Sequence, residues 1–256
     1  MKQFEVLHVL NGDALKDRFP AQLTGELAVM RECLIEGPVE GKTPSKFYAD
    51  RATYLYNTYG IPKQDYFEKT IPELQKLLQS DKLTEVNLWF EDDLFCQTNQ
   101  WYVAHTFLSN RLVERLWVVR PPVQDQYGFG KFDTHGLFNL FKNRILVRHP
   151  ERLAKLWTLY QANEYEAMMT LVTDTDSNLA FIAPAIEALQ EMKKTDETKG
   201  RPIIKLLEIM KELNTFEFES VFREFNRRES IYGLGDIQVK RLYEIAICQM
   251  NSDKSS

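Results

Sequence analysis

Short, nearly continuous apolar segments recur through the first half of the chain. They are typical of strands covered on both faces of a parallel sheet, and they occupy residues 4–10, 26–31, 86–90 and 116–120. Between them, apolar residues at three- and four-residue spacings predict helices over residues 44–59, 71–78 and 101–108. This alternation predicts an α/β fold with a parallel, Rossmann-like sheet.

The pattern changes after Pro121 and Pro122, which favour an extended backbone. No convincing strand follows Arg144 and Val147, and helical spacing predominates over residues 151–161, 165–172, 180–192, 203–213, 216–226 and 237–247. We therefore expect an α/β domain at residues 1–125, a mainly helical domain at 126–250 and a flexible polar tail at 251–256.

The composition narrows the class of protein. A chain of 256 residues with 44% hydrophobic residues can fill a sizeable core, and a net charge of −5 does not favour nucleic acid as a partner. The three cysteines, Cys33, Cys96 and Cys248, form no C-x-x-C pair, which argues against a disulfide framework or a structural zinc site. Without a signal-peptide pattern or an apolar run of about 18 residues, we expect a cytoplasmic protein that does not enter a membrane.

The first candidate loop follows the first predicted strand. Gly12 permits a tight turn after Asn11, and Asp13 stands where a helix should begin, as in the strand-to-helix turns that hold ligands in α/β proteins. A structural interpretation remains open, because Asn-Gly is a common turn and Asp a favoured helix N-cap. His8, in the middle of the strand, is either a core histidine or a ligand-binding group.

The second candidate loop carries three consecutive carboxylates, Glu91, Asp92 and Asp93, directly after a buried strand. Their repulsion would raise their pKa values unless a cation is present, which is a setting for Mg²⁺ or for acid–base catalysis. Capping of the next helix by Asp92 or Asp93 is the alternative. Cys96 is a conceivable nucleophile, but no histidine is tied to it by sequence, so we do not predict a thiol enzyme.

A strand order of 2-1-3-4 would bring the two loops together. In that order the crevice at the switch point lies between the ends of the first and third strands. Glu32 and Glu36 follow the second strand at the same edge of the sheet. Arg51 and Arg120 would either bind a substrate anion there or form ion pairs with the carboxylates.

With these motifs in view, the chain resembles a bacterial family catalogued as domain of unknown function 1835, followed by a helical segment like domain of unknown function 3658. The likeness rests on residues 8–13, on 31–38, on Arg51 and on 88–97, which include Gln97, and more loosely on 179–184 and 233–236. It implies a compact α/β domain joined to a helical domain, without an activity. Members often have His where this chain has Asp92 and Asp where it has Cys96, which implies altered chemistry or none here if the family site depends on that pair.

Common nucleotide-binding and hydrolase signatures are missing from the sequence. Our first hypothesis is an enzyme acting on a small phosphorylated or nucleotide-like molecule. Its predicted catalytic residues are Asp13, Glu91, Asp92 and Asp93, and its predicted ligand-binding residues are His8, Asn11, Gly12, Glu36, Arg51, Gln97 and Arg120. The second is a ligand-sensing or adaptor protein whose helical half binds a partner or DNA. The third is a structural partner in which both loops only cap helices.

Overall fold

The computed structural model describes residues 6–41, 43–79, 84–110, 115–125, 127–193 and 200–253. Its sheet has five strands in the order 2-1-3-4-5, and the first four are mutually parallel. These strands are β1 (Val6–Asn11), β2 (Glu26–Met30), β3 (Glu85–Trp89), β4 (Arg115–Val119) and β5 (Ile145–Leu146). The α/β fold and its strand order match the prediction.

Burial explains why the four parallel strands could be recognised. Every residue of β3 is buried, and β1 is buried except at its two ends, so neither strand shows polar alternation. The first predicted strand began at residue 4, but residues 4 and 5 lie outside the described part. The short strand β5 was not predicted, because two residues that pair antiparallel with β4 carry no periodic signal.

Eight α-helices lie among the described residues up to Thr173, interspersed with the strands of this sheet. They are α1 (Asp13–Lys16), α2 (Pro44–Tyr59), α3 (Lys63–Asp65), α4 (Ile71–Gln79), α5 (Leu94–Asn110), α6 (Thr134–Lys142), α7 (Pro150–Ala162) and α8 (Tyr165–Thr173). Between α3 and α4, Tyr66–Thr70 form a π-helical turn in which the N–H of Ile71 donates to the carbonyl of Tyr66. The predicted helix at residues 44–59 is confirmed, and α5 begins seven residues before its predicted start because its first turns are polar but buried.

The second half of the chain is helical, as predicted. Its helices are α9 (Ala183–Met192), α10 (Arg201–Glu212), α11 (Phe218–Arg228) and α12 (Asp236–Asp253). Leu206, Val221, Phe225 and Val239 are fully buried, so α10, α11 and α12 share a core.

Contacts between residues divide the chain into two compact units, residues 1–183 and 184–256. We expected the α/β domain to end at residue 125. The first unit continues further because β5 extends the sheet and α7 packs against α5. At the other end, α12 continues to Asp253 through part of the expected tail, and residues 254–256 lie outside the described part. Within the described residues, no helix has the length and apolar character needed to span a membrane.

Candidate functional site

The two candidate loops meet at the carboxyl edge of the sheet. The side-chain amide of Asn11, at the end of β1, donates to Sγ of Cys96 in the first turn of α5 (2.9 Å). Asn99, one turn later, donates to Oδ1 of Asn11 (3.1 Å) and to the carbonyl of Glu32 (2.8 Å). Two buried or half-buried amides thus join the ends of β1 and β2 to α5, at the switch point that the strand order creates.

Gly12 follows Asn11 with a φ of +94°, a conformation that L side chains rarely adopt. Its N–H donates to the carbonyl of Met30 at the end of β2 (3.2 Å). No described atom lies within 4 Å of the position that a Cβ would occupy. A glycine is therefore required here by the turn, and open space lies beside it.

Glu91, Asp93 and Cys96 form a compact cluster in which one ligand atom from each lies within 4.8 Å of the others. The thiol of Cys96 donates to Oε2 of Glu91 (3.2 Å), and the N–H of Cys96 donates to Oδ1 of Asp93 (2.9 Å). Asp93 is thereby the N-cap of α5, which was the structural alternative for this loop. Oε1 of Glu91 accepts the N–H of Phe129 (2.8 Å). Glu91 therefore also holds the loop around Phe129 between β4 and α6, the 129 loop, at the edge of the sheet.

The electrostatics of this cluster are unfavourable for negative charge. Burial, followed by the charge of Glu91, raises the pKa of Asp93 to about 7. Burial also raises the pKa of the Cys96 thiol, and Asp93 and Glu91 raise it further. Among the described residues, no lysine or arginine forms an ion pair with Glu91 or Asp93. The cluster therefore favours a shared proton or a bound cation.

The other two predicted catalytic carboxylates already have basic partners. Asp13 forms a two-pronged ion pair with Arg31 (2.6 and 2.8 Å), and this hydrogen bonding lowers the pKa of Asp13. Asp92 forms a similar pair with Arg120. Burial of Asp92 raises its pKa even so. Neither carboxylate belongs to the cluster of Glu91, Asp93 and Cys96, and Arg120 is engaged with protein rather than open to an anion.

Arg51 belongs to a second, fully buried network. Its guanidinium donates twice to Glu32 (2.9 and 3.1 Å) and also to the carbonyls of Cys33, Glu36 and Pro38. The hydroxyl of Tyr66 donates to the other oxygen of Glu32. Both charged side chains have no solvent exposure, so Arg51 acts as an internal support for the loop after β2. Of the two roles open for Arg51, ion pairing is the one this geometry shows.

Two further predicted ligand-binding residues, Glu36 and His8, have protein partners. Glu36 accepts a hydrogen bond from the hydroxyl of Tyr59 and one from the thiol of Cys33. Nδ1 of His8 accepts the indole N–H of Trp89 (3.2 Å), and Nε2 lies 3.3 Å from the carbonyl of Thr24. Burial lowers the pKa of His8 to about 4, so it is a neutral core histidine at pH 7.

Gln97 lies one helical turn after Asp93 and is fully buried. Its amide nitrogen donates to the carbonyl of Glu91 (2.7 Å), which places the amide group beside the cluster. Its Oε1 has no hydrogen-bond partner among the described residues. A buried acceptor without a donor is unfavourable by about 1–3 kcal/mol, so water or a ligand group is expected there.

Comparison with known proteins gives no assignment for this site. No protein family, curated protein or solved structure matches the chain. The family resemblance stays a prediction. What the site can do follows from its own residues.

Sequence reasoning did not assign Cys96 and Asn99 to this site. Cys96 was considered only as a nucleophile, although its position three residues after Asp93 is the spacing at which a backbone N–H meets an N-cap carboxylate. Asn99 continues the same run of polar residues on α5, and its burial carried no signal in the sequence. Phe129 could not have been found, because its contact with Glu91 depends on how the loop after β4 folds back.

Proposed function

We propose that this protein binds a divalent cation through Glu91, Asp93 and Cys96, and that this ion engages a small phosphorylated or nucleotide-like molecule on which the protein acts as an enzyme. The observation that carries the proposal is the cluster itself: two carboxylates and a thiol converge without a lysine or arginine partner among the described residues. In a tetrahedral site with ion–ligand distances of about 2.0–2.3 Å, ligand atoms lie roughly 3.3–3.8 Å apart. The three atoms here lie within 4.8 Å of one another, so ion binding would draw these side chains together by up to about 1 Å.

The donor set favours zinc over magnesium. Mg²⁺ takes oxygen ligands almost only, whereas Zn²⁺ accepts sulfur and oxygen together. Three protein ligands leave a coordination position for water or substrate, which is the arrangement of catalytic rather than structural zinc sites. The open space beside Gly12 is consistent with a ligand entering from the β1 loop. Zinc in such a site polarises an oxygen of the substrate or lowers the pKa of bound water.

A ligand sensor without turnover is the second candidate, and one contact favours it. Glu91 holds the N–H of Phe129 through the oxygen that does not contact Cys96. A cation that draws Glu91 towards Asp93 and Cys96 would weaken this bond and release the 129 loop. The same site would then report ligand binding through a change in the loop.

Metal titration of the full chain, after treatment with a chelator, tests the site. We expect Zn²⁺ to bind with 1:1 stoichiometry by calorimetry, and Mg²⁺ to bind at least tenfold more weakly. Cys96→Ser and Asp93→Asn should each weaken Zn²⁺ binding at least tenfold, because each removes one ligand. Cys248→Ser, which changes an exposed cysteine of the second unit, is the matched control. Equal Zn²⁺ affinity in the Cys96 and Cys248 variants would overturn the proposal.

A turnover screen with the zinc-loaded protein separates the two candidates. Nucleotides and phosphate monoesters are incubated with the protein, and released phosphate is measured. Turnover that disappears in Asp93→Asn, but persists in Cys248→Ser, supports the enzyme. Saturable binding of the same compounds without turnover supports the sensor.

A further inference from the structure

A cavity of about 270 Å³ lies in the first unit, away from the carboxylate cluster. It is formed by the start of α2, the end of α4, the second half of α5 and the side of α7. Tyr102, the lining residue on α5 nearest the cluster, stands nine positions after Asp93, the N-cap of α5, or about 14 Å along a helix axis at 1.5 Å per residue. The two regions therefore occupy different parts of the same helix.

Aromatic side chains are over-represented in the wall of this cavity. Four of its twelve lining residues are Phe47, Tyr48, Tyr102 and Trp157, a third of the lining in a chain that is 12% aromatic. Phe47 stacks on Tyr102 with ring centroids 5.4 Å apart, and Trp157 meets Tyr102 edge-on at 5.1 Å. Because these rings pack against one another, their positions are fixed before a ligand binds. Phe47, Tyr102 and Trp157 are 6%, 8% and 3% exposed, so only a small part of each ring faces the cavity.

Among the lining residues that the structure describes, none is an Asp, Glu, Lys or Arg. Within that same set, the one imidazole is that of His105, which lies within hydrogen-bonding distance of the hydroxyl of Ser109 (3.4 Å). Burial lowers the pKa of His105, so the imidazole is neutral at pH 7. A charged ligand would lose water here without meeting an opposite charge on any described lining residue, which favours neutral molecules over ions.

Polar groups on the same wall supply hydrogen bonds for orientation. The side chains of Tyr48 and Thr106 lie close enough to the hydroxyl of Tyr102 to affect its pKa. Among the described residues, no hydrogen bond involves the indole N–H of Trp157. The wall thus combines aromatic rings with hydroxyl groups that can form hydrogen bonds.

We propose that this cavity binds a small, uncharged aromatic or heteroaromatic molecule, held by ring contacts with Phe47, Tyr102 and Trp157. Its volume accommodates one or two fused rings and lies near the lower end of the range for ligand pockets, about 300–1,000 Å³. The proposal is independent of the carboxylate cluster, and it holds whether or not that cluster binds a metal.

Indole is the probe that tests this proposal, since it is neutral, bicyclic and able to donate one hydrogen bond. We expect saturable binding of indole to the full chain by calorimetry and by ligand-observed nuclear magnetic resonance. Tryptamine and indole-3-acetate, its cationic and anionic analogues, should bind at least tenfold more weakly. Binding of tryptamine as tight as that of indole would overturn the neutral class, and no saturation by indole at its solubility limit would overturn the site.

Two variants that fill the cavity test whether indole binds there. Ser109→Trp, at the exposed rim on α5, and Leu78→Trp, on α4, should each weaken indole binding at least tenfold. Thr158→Trp is the matched control, because Thr158 is an exposed hydroxyl residue on α7 outside the cavity lining. Circular dichroism confirms that each variant folds. Unchanged indole affinity in a folded cavity-filling variant would contradict the proposed location.

Discussion

Two groups of carboxylates lie at the same edge of the sheet and differ in how their charge is compensated. Glu32 follows β2 and is fully buried, where the guanidinium of Arg51 and the hydroxyl of Tyr66 hold it. Glu91 and Asp93 follow β3, and their nearest partners are a thiol and backbone N–H groups. The negative charge of the first group is neutralised by side chains of the protein itself. The second retains an affinity for a proton or a cation.

This difference shows that position alone does not mark a functional carboxylate. Asp13, Asp92 and Glu32 all follow strands of the parallel sheet, yet each is paired with an arginine. What distinguishes Glu91 and Asp93 is the lack of such a partner among the described residues. Four predictions test whether pairing with an arginine distinguishes a structural carboxylate from one that can bind a ligand.

The largest effect is expected from Arg51→Met. The substitution leaves Glu32 buried without its cation, which should lower the free energy of unfolding by about 3–5 kcal/mol. Urea denaturation measures the change. The double variant Glu32→Gln, Arg51→Met should recover part of the loss, because the uncompensated charge is gone. Lys46→Met, which removes an exposed pair with Asp50, is the control. A loss below about 1 kcal/mol for Arg51→Met would contradict a structural role for this pair.

Zinc is expected to stabilise the folded protein through the second group. At a free concentration one hundred times its Kd, a ligand that binds only the native state adds about 2.7 kcal/mol. Thermal unfolding with and without Zn²⁺ should show this gain in the wild type and in Arg120→Met, provided that each folds. Asp93→Asn should show a much smaller shift. The same shift in Asp93→Asn as in the wild type would place the ion elsewhere.

The pH dependence of stability is expected to distinguish Asp93 in the metal-free protein. Its folded pKa of about 7 exceeds the ordinary value of 3.8, so the native state binds more protons than the unfolded state between these values. Its contribution therefore falls as pH rises from about 4 to 7 and is constant above that range. Asp93→Asn keeps the helix cap and removes this loss, so the variant should be more stable than the wild type at pH 8 by up to about 4 kcal/mol.

Urea denaturation at pH 4 and pH 8, with a chelator present, checks this prediction. The difference in free energy of unfolding between Asp93→Asn and the wild type should be small at pH 4 and favour the variant at pH 8. Asp50→Asn, on the exposed face of α2, is the control and should show little pH dependence. A difference that is equal at both pH values would show that Asp93 is already ionised at pH 4 in the folded protein.

The smallest effect is expected from Asp13→Asn. The Asp13 side chain is 54% exposed and its pair with Arg31 is screened by solvent, so the free energy of unfolding should change by less than about 1 kcal/mol. The affinity for Zn²⁺ should stay within a factor of three, because Asp13 is not a member of the cluster. A tenfold loss of Zn²⁺ affinity would bring Asp13 into the site and restore the catalytic role first predicted for it.

The sheet could be predicted from the sequence because its four parallel strands are buried on both faces. Leu88 and Trp89, for example, belong to a strand with no exposed residue. The location of the site followed from the strand order. The roles of individual carboxylates did not, since the pairing of Arg51 with Glu32 and of Arg120 with Asp92 depends on side-chain packing between distant segments.

The aromatic cavity illustrates the same limit. Phe47 and Trp157 are more than a hundred residues apart, and their spacing within their own helices is that of ordinary core residues. Nothing in either helix distinguishes a ring that fills a core from one that lines a cavity. That distinction depends on which side chains the partner helix presents, which periodicity does not encode.

The π-helical turn at Tyr66–Thr70 limits the deletions that this part of the chain can tolerate. Such a turn accommodates one residue more than an α-helical turn. Deleting one residue from it would produce a more regular helix, but would rotate Tyr66 by about 100° relative to α4. The hydroxyl of Tyr66 would then no longer reach Glu32. Single-residue deletions should therefore be tolerated less well here than in an exposed loop, although local helix geometry alone would favour them.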